Sequence, residues 1–567
     1  MSIPVLNLPL LLNPKRPKPY IKPKHLKSWI NTLPTANTLK STRLVIEKLK
    51  TLNESKYPYS ERVQLLDILR PTIRQLLVTL KQSLHRAEFP LSENNIETYQ
   101  LIQKLLFKIA LAYKLVSHTL MNKTSLKEND KLILRESIYL SIQYLARSVV
   151  ESYLIYRSPQ YDIWRELHQL YLYAENNDIQ HEAIDDPFPD FALPLHYTID
   201  LVYKRIVLLS LSSPFHLMQN EADDIYFLVS AWTSVCKISE LNKNFITDQY
   251  AVDFATDMSP RYIPDSLEWQ PVDGRIIDIS EVKLRLQSHT KKILQQNSEF
   301  DEFIDEETPR SLKERKQRDM LLRLTDNWYR KPVRRTNRED RGAKLRIALG
   351  LNACHFYSSN KIPFTPEMDE LKLHSSDENK QSTVFANIYR DALQKDRIHE
   401  KSDYVIDPWH QNNISHTGIS TTCGNACVDM KVKVGEIVSY LFDSKNGRRW
   451  KIGVIRWIKM DDNNQVDMGI MNLSLSAVPV AVKALEGIGK GTDYFRSLLI
   501  PKYVSIQQQR SIIVPSMLYD IGTVLSVNMK TKLFYIKLKS RLLSSCSISV
   551  YEFDILENAP IDLSQKI

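Results

Sequence analysis

Two short stretches hold residues whose types and spacing can grip an anionic, planar ligand. The first is a basic turn with Arg330, Arg334, Arg335, Arg338 and Arg341. Arg334 and Arg338 form an R-x-x-x-R pair, and Arg330 with Arg334 forms a second in another register. A guanidinium donates two parallel hydrogen bonds to phosphate oxygens or to a purine edge, and its plane can stack on a base. Two arginines spaced by four in a short turn can reach around one compact ligand. The second stretch is an N-x-S-x-x-G made by Asn413, Ser415 and Gly418. An amide can both donate and accept toward a base edge, a small hydroxyl adds a further polar contact, and a glycine admits close approach to the backbone.

Other chemistries find less support. The five cysteines (Cys236, Cys354, Cys423, Cys427, Cys546) are scattered. Cys423 and Cys427 are spaced C-x-x-x-C with no second pair to complete a zinc site, so buried free thiols and no metal are expected. The run from Gly487 to Thr492 resembles a phosphate loop, but Gly491 separates Lys490 from Thr492, whereas a P-loop needs Gly-Lys-Ser/Thr contiguous. A turn is expected there. No nucleophile–base spacing stands out, and the chain is not expected to be an enzyme.

The elements that must position the two stretches follow from composition and period. At 567 residues, 43% hydrophobic and 25% charged, the chain is a globular protein of several domains. Its net charge of +10 is concentrated: the first fifty residues hold ten Lys or Arg against the single acid Glu47, and seven of the 27 prolines. Residues 1–36 are therefore a basic, Pro-rich arm. Apolar runs are interrupted by polar residues throughout, and Pro4 and Pro9 break the only signal-like stretch. A cytoplasmic protein without a transmembrane helix is expected.

All 13 glycines lie at or after Gly274. Glycine costs a helix roughly 1 kcal/mol relative to alanine and is demanded by tight turns, so residues 37–240 are expected to be α-helical, a bundle or solenoid. Helices are expected from Asn37, from Ser60 with Pro71 kinking or dividing it, from Ser92 to Val116, from Asp130 to Tyr156, from Ser158-Pro159, and around 195–212 and 221–238. Residues 241–326 form a connector, with short strands at 245–280 and a charged helical pattern at 281–326.

Strand patterns follow. Lys344–Tyr357 is a first strand, Glu436–Phe442 and Arg449–Met460 flank the hairpin signal Asn446-Gly447, Gly453 marks a bulge, and Asp461–Asn464 turns into Val466–Leu473. Between them lies a polar insertion, 358–402, expected to be peripheral and mobile, with at most a short helix near 383–393. Residues 479–567 hold three or four more strands that extend this barrel or form a second one.

The two motifs, in this order and leading into a small barrel pattern closed by Val466–Met471, resemble the PilZ domain, the bacterial receptor module for cyclic di-GMP. The resemblance covers roughly 330–478. It departs from the usual pattern in the distance of 79 positions from Arg334 to Asn413 and in the ambiguous register of the arginines. It implies a PilZ-like β-barrel over 327–478, with 479–567 as a β-rich extension. It also implies a cyclic di-GMP site formed by Arg334, Arg338, Asn413, Ser415 and Gly418, with Arg335 and Arg341 as additional contacts. The implied protein is a receptor coupling this second messenger to surface attachment, biofilm formation or pilus-based motility. Binding would order Trp328–Arg341 as a switch element, and a protein partner is expected on the helical domain. Two rivals stay open: a scaffold whose barrel binds nothing, and a nucleic-acid binder using the basic segments.

Overall fold

The computed structural model describes residues 6–8, 21–189, 197–241, 249–264, 269–300, 309–329, 339–340, 342–362, 364–366, 404–415, 417–423, 430–442, 450–487, 490, 493–501, 510–529, 532–545 and 547–556. The chain divides into two compact units, residues 1–303 with 320–333 and residues 304–319 with 334–567.

The first unit is helical. Helices span Pro23–Ile30, Thr38–Glu54, Tyr59–Leu84, Glu93–Met121, Glu128–Leu154, Ile163–Asn176, Ile199–Leu211 and Glu221–Leu228. Local capping explains several starts: the Asn37 and Ser92 side chains accept from Lys40 N and Asn95 N, and Thr198 accepts from Leu201 N. Each satisfies one of the backbone donors that a helix leaves open at its first turn. Pro71 lies inside Tyr59–Leu84, which continues through it undivided. Helices 93–121 and 128–154 are buried on nearly every side. Leu105, Ile109, Tyr113 and Val116 of the first meet a core with Ile138, Leu145 and Val149 of the second, each such side chain contributing about 1.5–3 kcal/mol on burial.

Two expected helices differ. The one expected at Ser158-Pro159 begins at Ile163, because its cap comes from a distant part of the chain: the Asp257 carboxylate accepts from Asp162 N, Trp164 N and Arg165 N at 2.7–3.1 Å. The one expected over 221–238 ends at Leu228, tightens into a 3-10 turn over Val229–Val235, and gives way to strand β1 (Lys237–Glu240). With β2 (Gln249–Asp253), β3 (Arg261–Ile263) and β4 (Gly274–Asp278), it forms an antiparallel sheet in the order β1-β4-β2-β3.

This sheet is fastened to the helices by a buried aromatic cluster. His168, fully buried, stacks on Phe254 with centroids 5.2 Å apart, while Tyr171 stacks on Tyr203 at 4.2 Å. Arg275 pairs with Glu175 at 3.1 Å and lies 5.0 Å over the Phe254 ring. Helix Ser280–Phe300 follows the sheet, and Met320, Leu321, Leu324 and Trp328 of helix Pro309–Tyr329 complete the core.

The second unit is built from β5 (Glu339–Asp340), β6 (Lys344–Leu349), β7 (Asp407–Ile414), β8 (Gly418–Cys423), β9 (Ile437–Phe442), β10 (Lys451–Met460) and β11 (Val466–Ser474), followed by β12 (Val478–Glu486), β13 (Phe495–Ile500), β14 (Ser511–Pro515), β15 (Val524–Asn528), β16 (Leu533–Ser544) and β17 (Ile548–Leu556). The first seven run in the order β5-β7-β6-β9-β10-β11-β8, and the β7–β8 pairing closes the ring. The last six form a second closed barrel, β12-β13-β14-β17-β16-β15. Among the described residues the C-terminal extension thus has six strands, where three or four were expected.

The stretch Lys344–Tyr357 is not one strand. Gly350 adopts φ +88°, a left-handed conformation that few residues but glycine take. Its carbonyl then accepts from Cys354 N, opening the helix Leu351–Ser358. The expected bulge at Gly453 is present as a register shift in the β10–β11 ladder. Asn446-Gly447 and most of the insertion, including 383–393, lie outside the described residues. At the insertion's start, the Pro366 carbonyl accepts from Asn528 Nδ2 at 2.9 Å, and Arg496 lies 4.7 Å over the Phe364 ring. Cys236 and Cys354 are free and buried, as expected, but Cys423 is disulfide-bonded.

Candidate functional site

The N-x-S-x-x-G sequence forms the end of the β7–β8 hairpin. Strand β7 carries a register shift between Gln411 and Asn413, after which Asn413 pairs with Ser420 and Ile414 with Ile419. A bulge of this kind bends a strand and re-aims the side chain that follows it. The turn is held by its own polar groups. Ser415 N donates to the Gly418 carbonyl at 2.8 Å, and Ser415 Oγ donates to the same oxygen at 3.2 Å.

Gly418 is fixed from the next strand. A Cβ on it would stand 2.5 Å from the Ile470 carbonyl oxygen, too close for any other residue without moving the backbone. The glycine is therefore required for packing of β8 against β11, whatever binds nearby. The Asn413 side chain makes no hydrogen bond to any described residue, so its amide is available to a ligand. Beside it, a polar chain that the motif does not contain crosses three strands: Asn412 Nδ2 donates to Thr422 Oγ1 at 2.6 Å, and Thr422 donates to Asp467. Only the pairing of β7 with β8 and of β8 with β11 reveals it.

Strands β7 and β8 contain no Lys or Arg, so an arginine or lysine facing an anion at this hairpin must come from another segment. Strand β5 supplies the connection. Glu339 pairs with Ile414 and Asp340 with Asn413 in antiparallel register. Arg334, Arg335, Arg338 and Arg341, with Arg330, lie outside the described residues, but Glu339 directly follows Arg338 in the chain. The backbone immediately after the R-x-x-x-R pair is thus held against the strand that carries Asn413 and leads into Ser415. Among the described residues, no group of three or more His, Cys, Asp or Glu is placed to hold a metal ion, and no helix is long and apolar enough to cross a membrane.

Comparisons with known proteins cover both units. Residues 24–243 match the family model of the "Cyclic-di-GMP receptor FimW, N-terminal domain", residues 249–423 that of its "middle PilZ domain", and residues 480–556 that of the "FimW C-terminal beta-barrel domain". A curated relative from Pseudomonas aeruginosa, the "Cyclic-di-GMP receptor FimW", is 22% identical over 579 residues, spanning 95% of this chain and 92% of the relative. No solved structure matches the chain. The middle match begins at β2, so the family's PilZ segment takes in β2, β3 and β4 and the charged helices read from sequence as a connector, while β1 falls within the N-terminal match. With helical, PilZ and C-terminal barrel segments matched in that order along one chain, the protein belongs to the FimW family of PilZ-domain proteins.

Proposed function

We propose that the protein is a cyclic di-GMP receptor whose ligand sits at the β7–β8 hairpin. Arg334 and Arg338 grip the ligand, Asn413 meets a base edge, and Ser415 and Gly418 shape the turn beneath it, with Arg335 and Arg341 within reach. The observation that carries this reading is the pairing of Asp340 with Asn413. It holds the backbone two residues after Arg338 against Asn413, which supports a shared site although Asn413 lies 79 positions beyond Arg334 in the chain. The printed name of the Pseudomonas relative agrees with the chemistry.

The receptor is an effector and not a catalyst, acting in the bacterial cytoplasm to couple second-messenger level to surface attachment, biofilm formation or pilus-based motility. In this reading residues 1–36 are the arm, 37–240 the helical domain that takes a protein partner, 241–326 the connector, 327–478 the ligand-binding barrel and 479–567 its extension. Nucleic acid is not a partner.

Isothermal titration of the full-length protein tests the proposal. Saturable binding of cyclic di-GMP that linear GMP does not compete away is expected. Absence of binding, or equal binding of any polyanion with steep salt dependence, would refute it.

A further inference from the structure

The helical unit presents a groove that the ligand site does not use. Two cavities, of about 340 and about 630 Å³, adjoin along one face of helix 59–84 and share Val78, Lys81, Glu151 and Asp223 in their walls. The floor follows helical spacing, Arg70, Arg74, Val78 and Lys81, and continues to His85 and Arg86 just beyond. Residues three and four apart on a helix share a face. Helices 128–154 and 221–228 form the walls.

The two acids common to both cavities are already occupied, while the exposed Asp224 lines only the first. Asp223 accepts from Arg147 at 2.6 Å and Lys81 at 3.1 Å, and Glu151 accepts from Arg147 at 2.7 Å. Burial opposes charge on Asp223, but Arg147 and Lys81 outweigh it and hold the carboxyl well below the usual range. Arg70 is likewise committed, to Asp186 at 2.5 Å. Arg74 and Arg86 are different: both are exposed and make no ion pair with any described residue. The lining also holds two exposed apolar side chains: Val78, at 52% relative exposure, is shared by both cavities, and Phe227, at 63%, lines the first together with Arg74. The groove thus carries an exposed arginine toward either end and, along its length, two exposed apolar side chains beside the ion-paired Lys81, Arg147, Glu151 and Asp223.

We infer that this groove is the docking site for an acidic amphipathic peptide segment of a protein partner, its carboxylates on Arg74 and Arg86 and its apolar face on Val78 and Phe227. A helix laid in a groove by its apolar face is a recurring mode of peptide recognition, and complementary charge fixes its direction and register. A compact phosphate ligand fits less well, because it would leave Val78 and Phe227 uncovered and approach the Asp223 and Glu151 carboxylates. The inference rests on the reading that the helical domain takes a protein partner, and is independent of where cyclic di-GMP binds.

The test is selection of displayed random peptides of about sixteen residues, which match the roughly 24 Å from Arg70 to Arg86 when helical, on the full-length protein. Enriched sequences should carry Asp or Glu with apolar residues three and four apart. Their synthetic forms, followed by fluorescence anisotropy, should bind the Arg74→Glu/Arg86→Glu double variant about tenfold or more weakly, and Phe227→Ala several-fold more weakly. Both variants change exposed side chains, so circular dichroism should remain that of the wild type. Cyclic di-GMP titration of the double variant should also match wild type, which separates failure of this surface from failure of the receptor reading. Selection of no sequence family, of one without acids, affinity unmoved by charge reversal, or polyphosphate binding as tightly as the peptides would each overturn the inference.

Discussion

Asp340 and Asn413 face each other across an antiparallel pair only two residues long, and this holds the backbone just after Arg338 against a hairpin whose strands have no Lys or Arg of their own. Each motif alone is incomplete for a ligand with two phosphates and two guanines. In the proposed reading the hairpin offers the Asn413 amide, which makes no hydrogen bond to a described residue, and the segment around Arg334 and Arg338 offers guanidinium forks. Their joint presence makes the arginines the most informative residues to change. Each bidentate arginine–guanine contact is worth about 1–3 kcal/mol of discrimination. Arg334→Ala or Arg338→Ala should therefore weaken cyclic di-GMP binding roughly five- to 150-fold by titration. Lysine should rescue little, since a point charge cannot reproduce the planar fork. Arg330→Ala should matter less, and a larger effect there than at Arg338 would shift the register of the pair.

Asn413 and Gly418 should separate binding from folding. Asn413→Ala removes an amide with no hydrogen bond to a described residue, so thermal stability should hold while affinity falls. Gly418→Ala forces a methyl onto the Ile470 carbonyl oxygen. Overpacking of this kind costs about 1–3 kcal/mol, so its melting temperature should drop whether or not ligand is present. Unchanged stability of Gly418→Ala would show that β8 can move away from β11.

The insertion divides at Pro366. Phe364 and Pro366 are tied to the second barrel through Arg496 and Asn528, so replacement should begin after them. Exchanging residues 367–402 for a short Gly/Ser linker should leave affinity within a few-fold, because loop length adds closure cost only slowly. Loss of binding in a folded protein would make that segment part of the site.

What was legible in the sequence follows the range of the interactions. Helices beginning after Asn37 and Ser92 are capped by their own side chains, so local sequence marks them. The helix at Ile163 is capped by Asp257, far along the chain, and no local signal places it. The bulge at Gly453 interrupts an alternation and can be read, whereas Gly350 ends a strand in a run whose apolar residues suit either strand or helix. Asn413, Ser415 and Gly418 were recognisable as a motif. That Gly418 is demanded by Ile470 is not recognisable, because the contact lies across a strand pair. Strand β5 is too short to show any period. Cys423 was expected to be a free thiol and is disulfide-bonded.

The last prediction concerns acid and the cluster that joins sheet to helices. His168 Nε2 lies 2.9 Å from the Met258 carbonyl, which can only accept, so Nε2 carries the proton. Nδ1 then accepts from Tyr203 Oη at 2.7 Å, and the ring is neutral with both nitrogens satisfied. Burial lowers its pKa from 6.5 to about 4, outweighing the Met258 carbonyl's opposite effect. The unfolded chain therefore takes up this proton first. The stability it contributes is complete above about pH 6.5 and is lost as pH falls from there toward 4, a total of about 3 kcal/mol. Urea unfolding across that range should show the decline. His168→Gln, which keeps a donor and an acceptor but does not titrate, should flatten this part of the profile even if it is less stable at neutral pH. An unaltered pH dependence in that variant would mean that other groups, not His168, govern the acid response of the helical unit.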